Sequence, residues 1–186
     1  MFDEFISALE KVASLGEEVV RQEAGVLEQE TQALEKIVAM VKPVMRFIDY
    51  PIEDGRHHSG HQFHSWKVYH YKERGIVLVD RFSREFTDKD YRGIYTGSQL
   101  VLTRSGALVV LSRQGDWSNW QGEPCSWDAK ATEITPEEAV KRYGLAEIIK
   151  GMLEAFREAI KKAETKRQVL GKRLETLEQV KSILGS

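Results

Sequence analysis

Cysteine is almost missing from this chain. Cys125 is the only one among 186 residues, which excludes an internal disulfide and a cysteine-rich zinc centre. Long apolar runs are missing as well. Nothing approaches the roughly 18 consecutive apolar residues of a membrane span, so no membrane partner is expected. A surplus of one charge sign is missing too: the formal net charge is -2, which gives no global attraction to nucleic acid or to an anionic membrane. The opening Met1-Phe2-Asp3-Glu4 is acidic where a secretory leader is basic and then apolar. With the single cysteine, that makes a reducing, cytoplasmic location the expectation. Catalytic signatures are equally scarce. There is no Gly-x-Ser-x-Gly elbow, no phosphate loop or dinucleotide fingerprint, and no His-Glu-x-x-His. The Gly-x-x-x-Gly at Gly93–Gly97 falls in a predicted strand, where the spacing has no phosphate or membrane meaning. Cys125 follows Pro124 in a Trp-flanked stretch with no histidine close in sequence, and reads as a small buried hydrophobe.

What is present is helical periodicity at both ends. From Leu145 to Leu184 the apolar positions run Ile149, Leu153, Phe156, Ile160, Ala163, Leu170, Leu174, Leu177 and Leu184. They alternate four and three, with Arg167 and Lys181 as polar interruptions, which is a heptad seam. The first arm repeats the pattern with Phe2, Phe5, Leu9, Val12, Gly16 and Val19, weakens at Glu23, and resumes as Leu27, Thr31, Leu34, Val38, Val41, Met45 and Ile48. The slip of one position suggests a stutter. Pro43 predicts a kink near Lys42–Val44, or a break followed by a short second helix. Residues 1–41 hold nine acidic and three basic side chains, whereas residues 150–186 hold nine basic and five acidic. Opposite signs suit lateral pairing and select partner and register more than they stabilise.

Between the arms the pattern changes. Pro51 to Gln62 reads as a loop. Strands are predicted at Trp66–Lys72, Ile76–Phe82, Ile94–Thr103 and Ala107–Ser112, joined by short turns that favour an antiparallel meander. Gln114 to Thr135 reads as irregular, with Trp117, Trp120 and Trp127 folded back on the sheet or the helix junction. Thr135-Pro136-Glu137-Glu138 starts a helix as a capping box and ends near Tyr143-Gly144. The fold expected is α+β: a long antiparallel, coiled-coil-like helical hairpin with a small antiparallel β-meander head inserted between its arms. The divisions are residues 1–48, 49–135 and 136–184. One face of the sheet needs a cover, either the arms or the Trp-bearing stretch. Flanking apolar positions at Val20, Val26, Ile37, Met152, Val180 and Ile183 favour a homo-oligomer, a dimer through the arms.

Three functional readings follow. The first is a non-catalytic homo-oligomeric scaffold or protein-interaction module. Its arms set geometry, and the aromatic residues Trp117, Trp120, Trp127, Tyr69 and Tyr71 serve as anchors for a protein partner. No cofactor is expected in that case. The second is a metal-dependent enzyme. His57, His58, His61 and His64 fall within eight residues and carry imidazoles suited to zinc or another divalent transition metal, with Asp49, Glu53, Asp54, Asp80, Glu85, Asp88 or Asp90 as nearby carboxylates. The third is single-stranded nucleic-acid binding through Lys67, Tyr69, Tyr71, Lys72, Arg74, Arg81, Phe82 and Arg84, where aromatics interleave with bases. Ten basic and eight acidic side chains over residues 42–92 keep that surface close to neutral, which weakens the third reading.

Overall fold

The computed structural model describes residues 2–48, 50–58, 66–86, 92–118 and 124–184. A 44-residue helix, α1 (Phe2–Met45), leads into six strands: β1 (Glu53–His58), β2 (Trp66–His70), β3 (Gly75–Phe86), β4 (Arg92–Thr103), β5 (Leu108–Ser118) and β6 (Pro124–Ile134). A short helix, α2 (Pro136–Tyr143), and a 40-residue helix, α3 (Leu145–Leu184), complete the chain. Two long helices thus flank an inserted antiparallel sheet. At about 1.5 Å per residue, α1 is about 66 Å long and α3 about 60 Å.

The strands form one antiparallel sheet in the order β2-β1-β6-β5-β4-β3. β3, β4 and β5 pair in the succession expected of the meander, with longer strands than the sequence predicts, but β2, expected beside β3, pairs with β1 at the opposite end of the sheet. Two segments correct the sequence reading. Glu53–His58, within the predicted loop, is a strand that pairs with β2 and, at Gly55 and Arg56, with Asp128 and Trp127 of β6. Gln114–Ser118 and Pro124–Ile134, within the stretch read as irregular, extend β5 and form β6. The described parts of the Trp-bearing stretch are therefore strands of the sheet rather than its cover. Neither segment has a β-forming composition. Ladder pairing with neighbours already in place overrides weak local propensity.

β2 and β3 are the two ends of this strand order, yet only residues 71–74 join them. Such a link reaches less than about 18 Å, whereas six flat strands about 4.8 Å apart would set the two edges about 24 Å from each other. The sheet must curl. Backbone bonds from Tyr71 to the Ile52 carbonyl and from Gly75 to the Tyr50 carbonyl carry the pairing through the bend.

Both faces of the sheet carry a buried cluster, and period-two alternation assigns the residues. Leu100, Leu102, Leu108 and Val110 turn to a core shared with Leu34, Met45 and Ile48 near the end of α1, Ala139, Val140 and Tyr143 of α2, and Ile148 and Met152 of α3. Their neighbours Val101, Val109 and Leu111 turn the other way, onto Ile52, Tyr71, Ala107 and Ala129. A bulge between Val77 and Val79 places Leu78 and Val79 consecutively in the helix-side core. There α3 crosses close to the strand: a methyl group on Gly151 would lie 1.7 Å from the Leu78 carbonyl oxygen.

The helix boundaries follow local chemistry. α1 continues through Pro43 and stops two residues later, so no second helix follows. In the last turn a proline forfeits one helical bond, and tight turns at Phe47 and Ile48 take over the final carbonyls. The capping box at α2 forms as read. The Thr135 hydroxyl accepts from the Glu138 amide, and the Glu138 carboxylate accepts from the Thr135 amide. Gly144, at a φ of 78°, turns the chain from α2 into α3 while its amide donates to the Val140 carbonyl.

Candidate interaction surfaces

The slip in the α1 seam coincides with a change in what the seam touches. After Glu23, Leu27, Leu34, Val38, Val41 and Met45 pack in or against the helix-side core. Before it, Leu9, Val12 and Val19 stand exposed, Val12 at 69%. α3 divides the same way. Ile148, Met152, Ala155 and Phe156 belong to the core, whereas Ile160, Leu170, Leu174 and Leu177 are exposed, Leu174 at 61%. Near the sheet the arms share one core, and farther out each carries an apolar stripe that the single chain leaves in solvent. Of the flanking apolar positions, Ile37 and Met152 are used in the core and Val20 and Val26 are exposed. Val169, Lys172, Arg173, Thr176 and Leu177 line a shallow groove on outer α3.

Of the anchors named from the sequence, the side chains of Trp127, Tyr69 and Tyr71 are among the described residues. Trp127 is buried at 5% exposure, with the Arg113 guanidinium 4.4 Å from its ring centre, so its ring is covered within the chain. Trp117 lies on β5 opposite Gly93 and Pro124, and Trp120 lies outside the described residues. Tyr69 is exposed on β2, whereas Tyr71, just past the strand end, packs against the cluster of Ile52 and Val101 on the sheet face turned away from the helices. The two tyrosines do not form a shared stacking face.

The histidine group is only partly visible. His57 and His58 lie on β1, with Lys67 and Trp66 as their β2 partners. His61 and His64 lie outside the described residues, as do Asp49, Asp88 and Asp90. Among the described residues, no three His, Cys, Asp or Glu side chains converge in a way that could hold a metal ion. Asp80, one of the carboxylates grouped with the histidines, accepts from Gln99 Nε2 at 2.8 Å and lies 3.7 Å from Arg113 Nη1. Register explains the choice. Asp80 is paired with Gln99 across β3 and β4, so their side chains share a face.

A cleft that the sequence did not signal runs beside β3. It has a volume of about 470 Å³ and lies between Gly75–Asp80, the Tyr50–Ile52 segment, and Gly151, Glu154, Ala155, Glu158 and Lys162 of α3. Lys162 Nζ sits 4.3 Å from the centre of the Tyr50 ring and bonds Glu158 at 2.5 Å. The Glu158 bond, chiefly, raises the lysine's pKa above its ordinary value. The one available clue was the four-residue spacing of Glu154, Glu158 and Lys162, which puts them on one helical face but is common on solvated helices. Compared with known protein families, curated proteins and solved structures, the chain matches none.

Proposed function

We propose that this protein is a non-catalytic homo-oligomeric scaffold, a dimer assembled through coiled-coil pairing of its arms, with the sheet as a head that presents a binding surface to a protein partner. The observation carrying this reading is the pair of exposed seams, Leu9–Val12–Val19 on α1 and Ile160–Leu170–Leu174–Leu177 on α3. Apolar stripes at heptad spacing lower their free energy by burial against another helix. The charges specify which one. The α1 arm is acidic and the α3 arm basic, so α1 of one copy suits α3 of the other. A second copy satisfies both seams at once, as symmetry requires of a closed dimer. Stable dimers bury roughly 1,200–2,000 Å² or more, and two arms of this length on each copy supply that area.

Light scattering coupled to size exclusion, over a concentration series at low and high salt, tests the reading. A discrete mass of twice the chain, retained in high salt, is expected, because apolar seams are not screened. A monomer mass at every concentration up to about 100 μM would remove the basis for the scaffold. The metal-dependent enzyme and the single-strand binder remain readings of the sequence pattern alone.

A further inference from the structure

The cleft beside β3 has the chemistry of a binding site rather than of a packing gap. Its floor is apolar, with Ile52, Ile76 and Leu78 all buried, and Val77 and Ala155 extend that surface toward the rim. Tyr50 and Pro51 form one wall. Its volume of about 470 Å³ falls in the range of roughly 300–1,000 Å³ that small-molecule and side-chain pockets occupy. Among the described residues, three carboxylates line it, Asp80, Glu154 and Glu158, against one ammonium, that of Lys162. That ammonium is already committed to Glu158 and stacked on Tyr50. Glu154 has no ion pair among the described residues. Asp80 is half-exposed, is held in place by Gln99, and among the described residues its one ion-pair contact is the long 3.7 Å approach to Arg113. Two carboxylates therefore retain unused acceptor capacity beside an apolar floor.

We propose that this cleft receives an arginine side chain presented by a partner protein. The apolar floor suits the aliphatic stem, and Asp80 and Glu154 suit the planar head, whose five N–H donors bridge carboxylates as an ammonium cannot. Lys162 displays the same recognition inside the chain: a cation over Tyr50, neutralised by a glutamate. The surplus negative charge of the cleft also excludes acidic and neutral side chains of similar shape. The site involves neither exposed seam, so it stands or falls separately from the dimer.

The test is an amide chemical-shift titration of the full-length, isotope-labelled protein with N-acetylarginine methylamide. The controls are the uncharged isostere N-acetylcitrulline methylamide, and spermidine as a free polyamine. The expected result is saturable shifts at Gly75, Val77 and Gly151, at least tenfold weaker binding of the citrulline compound, and a tenfold or greater loss in Glu154→Gln. Glu154 is exposed, so that variant should keep the fold and the light-scattering mass of the parent. Equal binding of the citrulline compound, or unchanged affinity in Glu154→Gln, would overturn the proposal. Tighter, Glu154-dependent binding of spermidine would overturn the assignment to a protein side chain in favour of a free amine.

Discussion

Gly151 of α3 and Leu78 of β3 meet backbone to side-chain position, with room for a hydrogen atom and nothing larger: a methyl group at Gly151 would sit 1.7 Å from the Leu78 carbonyl oxygen and 2.6 Å from its carbon. The obstacle is strand backbone, which cannot swing aside as a side chain could. Gly151→Ala must lift α3 off the sheet and loosen the packing of Ile148 and Met152 on either side. Overpacking of this kind costs about 1–3 kcal/mol, and the upper end is expected here. Gly25→Ala is the opposite control. It lies within α1 with nothing within 4 Å of the added carbon, so the better helix former should add up to about 1 kcal/mol. Urea unfolding of both variants measures the pair. A Gly151→Ala midpoint equal to the parent's would refute the close crossing.

The cap of α2 gives a pH-dependent expectation. Bonds from the Thr135 amide and hydroxyl hold the Glu138 carboxyl below its ordinary pKa. A lowered folded-state pKa contributes stability that is present above the unfolded-state value and lost as pH falls through the folded-state value. Stability of the parent should therefore decline on acidification below the ordinary glutamate range, and Glu138→Gln should lack that part of the decline. Thr135→Ala should cost about 1 kcal/mol at neutral pH, with Thr135→Ser near the parent. Thermal melts across an acid pH series decide it. Parallel curves for the parent and Glu138→Gln would show that the carboxylate contributes nothing to folding.

How much of this was legible in the sequence depends on whether the signal was local. The α2 cap is a four-residue motif whose donors and acceptors are neighbours in the chain, and it formed as read. The arms carry long periodic stripes, and both are helices. β1 and β6 were missed because Glu53–His58 and Pro124–Ile134 owe their strand state to partners distant in sequence, such as Trp127 for Arg56 and Leu111 for Ala131. The same limit hid the Asp80–Gln99 bond and the cleft, since β3, α3 and the Tyr50 segment come together only after the sheet curls. Neither a heptad seam nor its stutter discloses which half faces a core and which faces water, because both halves have the same periodicity.

Arg81 joins the sheet to the junction of the last two helices. Its guanidinium donates to the Arg142 carbonyl at 3.0 Å and the Tyr143 carbonyl at 3.4 Å, pairs with Glu147, and lies 5.0 Å from the Tyr143 ring centre. The carbonyls are those left open where α2 ends. The ion pair is half-exposed and adds little on its own. The fork to two carbonyls is the larger part, since charge-assisted bonds are worth about 1.5–3 kcal/mol each when well formed. Arg81→Ala is expected to lower stability by about 1–2 kcal/mol. Arg81→Lys should recover less than half, because a point charge cannot serve the carbonyls and the carboxylate together. Denaturant midpoints measured at low and high salt separate the two parts. A loss that vanishes in high salt would assign the whole effect to Glu147.

Leucines of the same seam pattern should respond in opposite ways according to their place along the arms. Leu34 is fully buried, and Leu34→Ala should destabilise the chain by about 2–5 kcal/mol. Leu174 is 61% exposed in the single chain. Leu174→Asp should therefore leave the sheet and its junction with the helices folded, by near-ultraviolet dichroism, while converting the proposed dimer to a monomer mass. Leu9→Asp should act like Leu174→Asp if the two stripes face each other across copies. Charge provides the independent check. Glu17→Lys with Glu18→Lys should slow association strongly at low salt and little at high salt, because it removes steering by the acidic arm while sparing the apolar contact. An unchanged mass in Leu174→Asp would mean that the outer stripes are not the interface, whatever mass the parent shows.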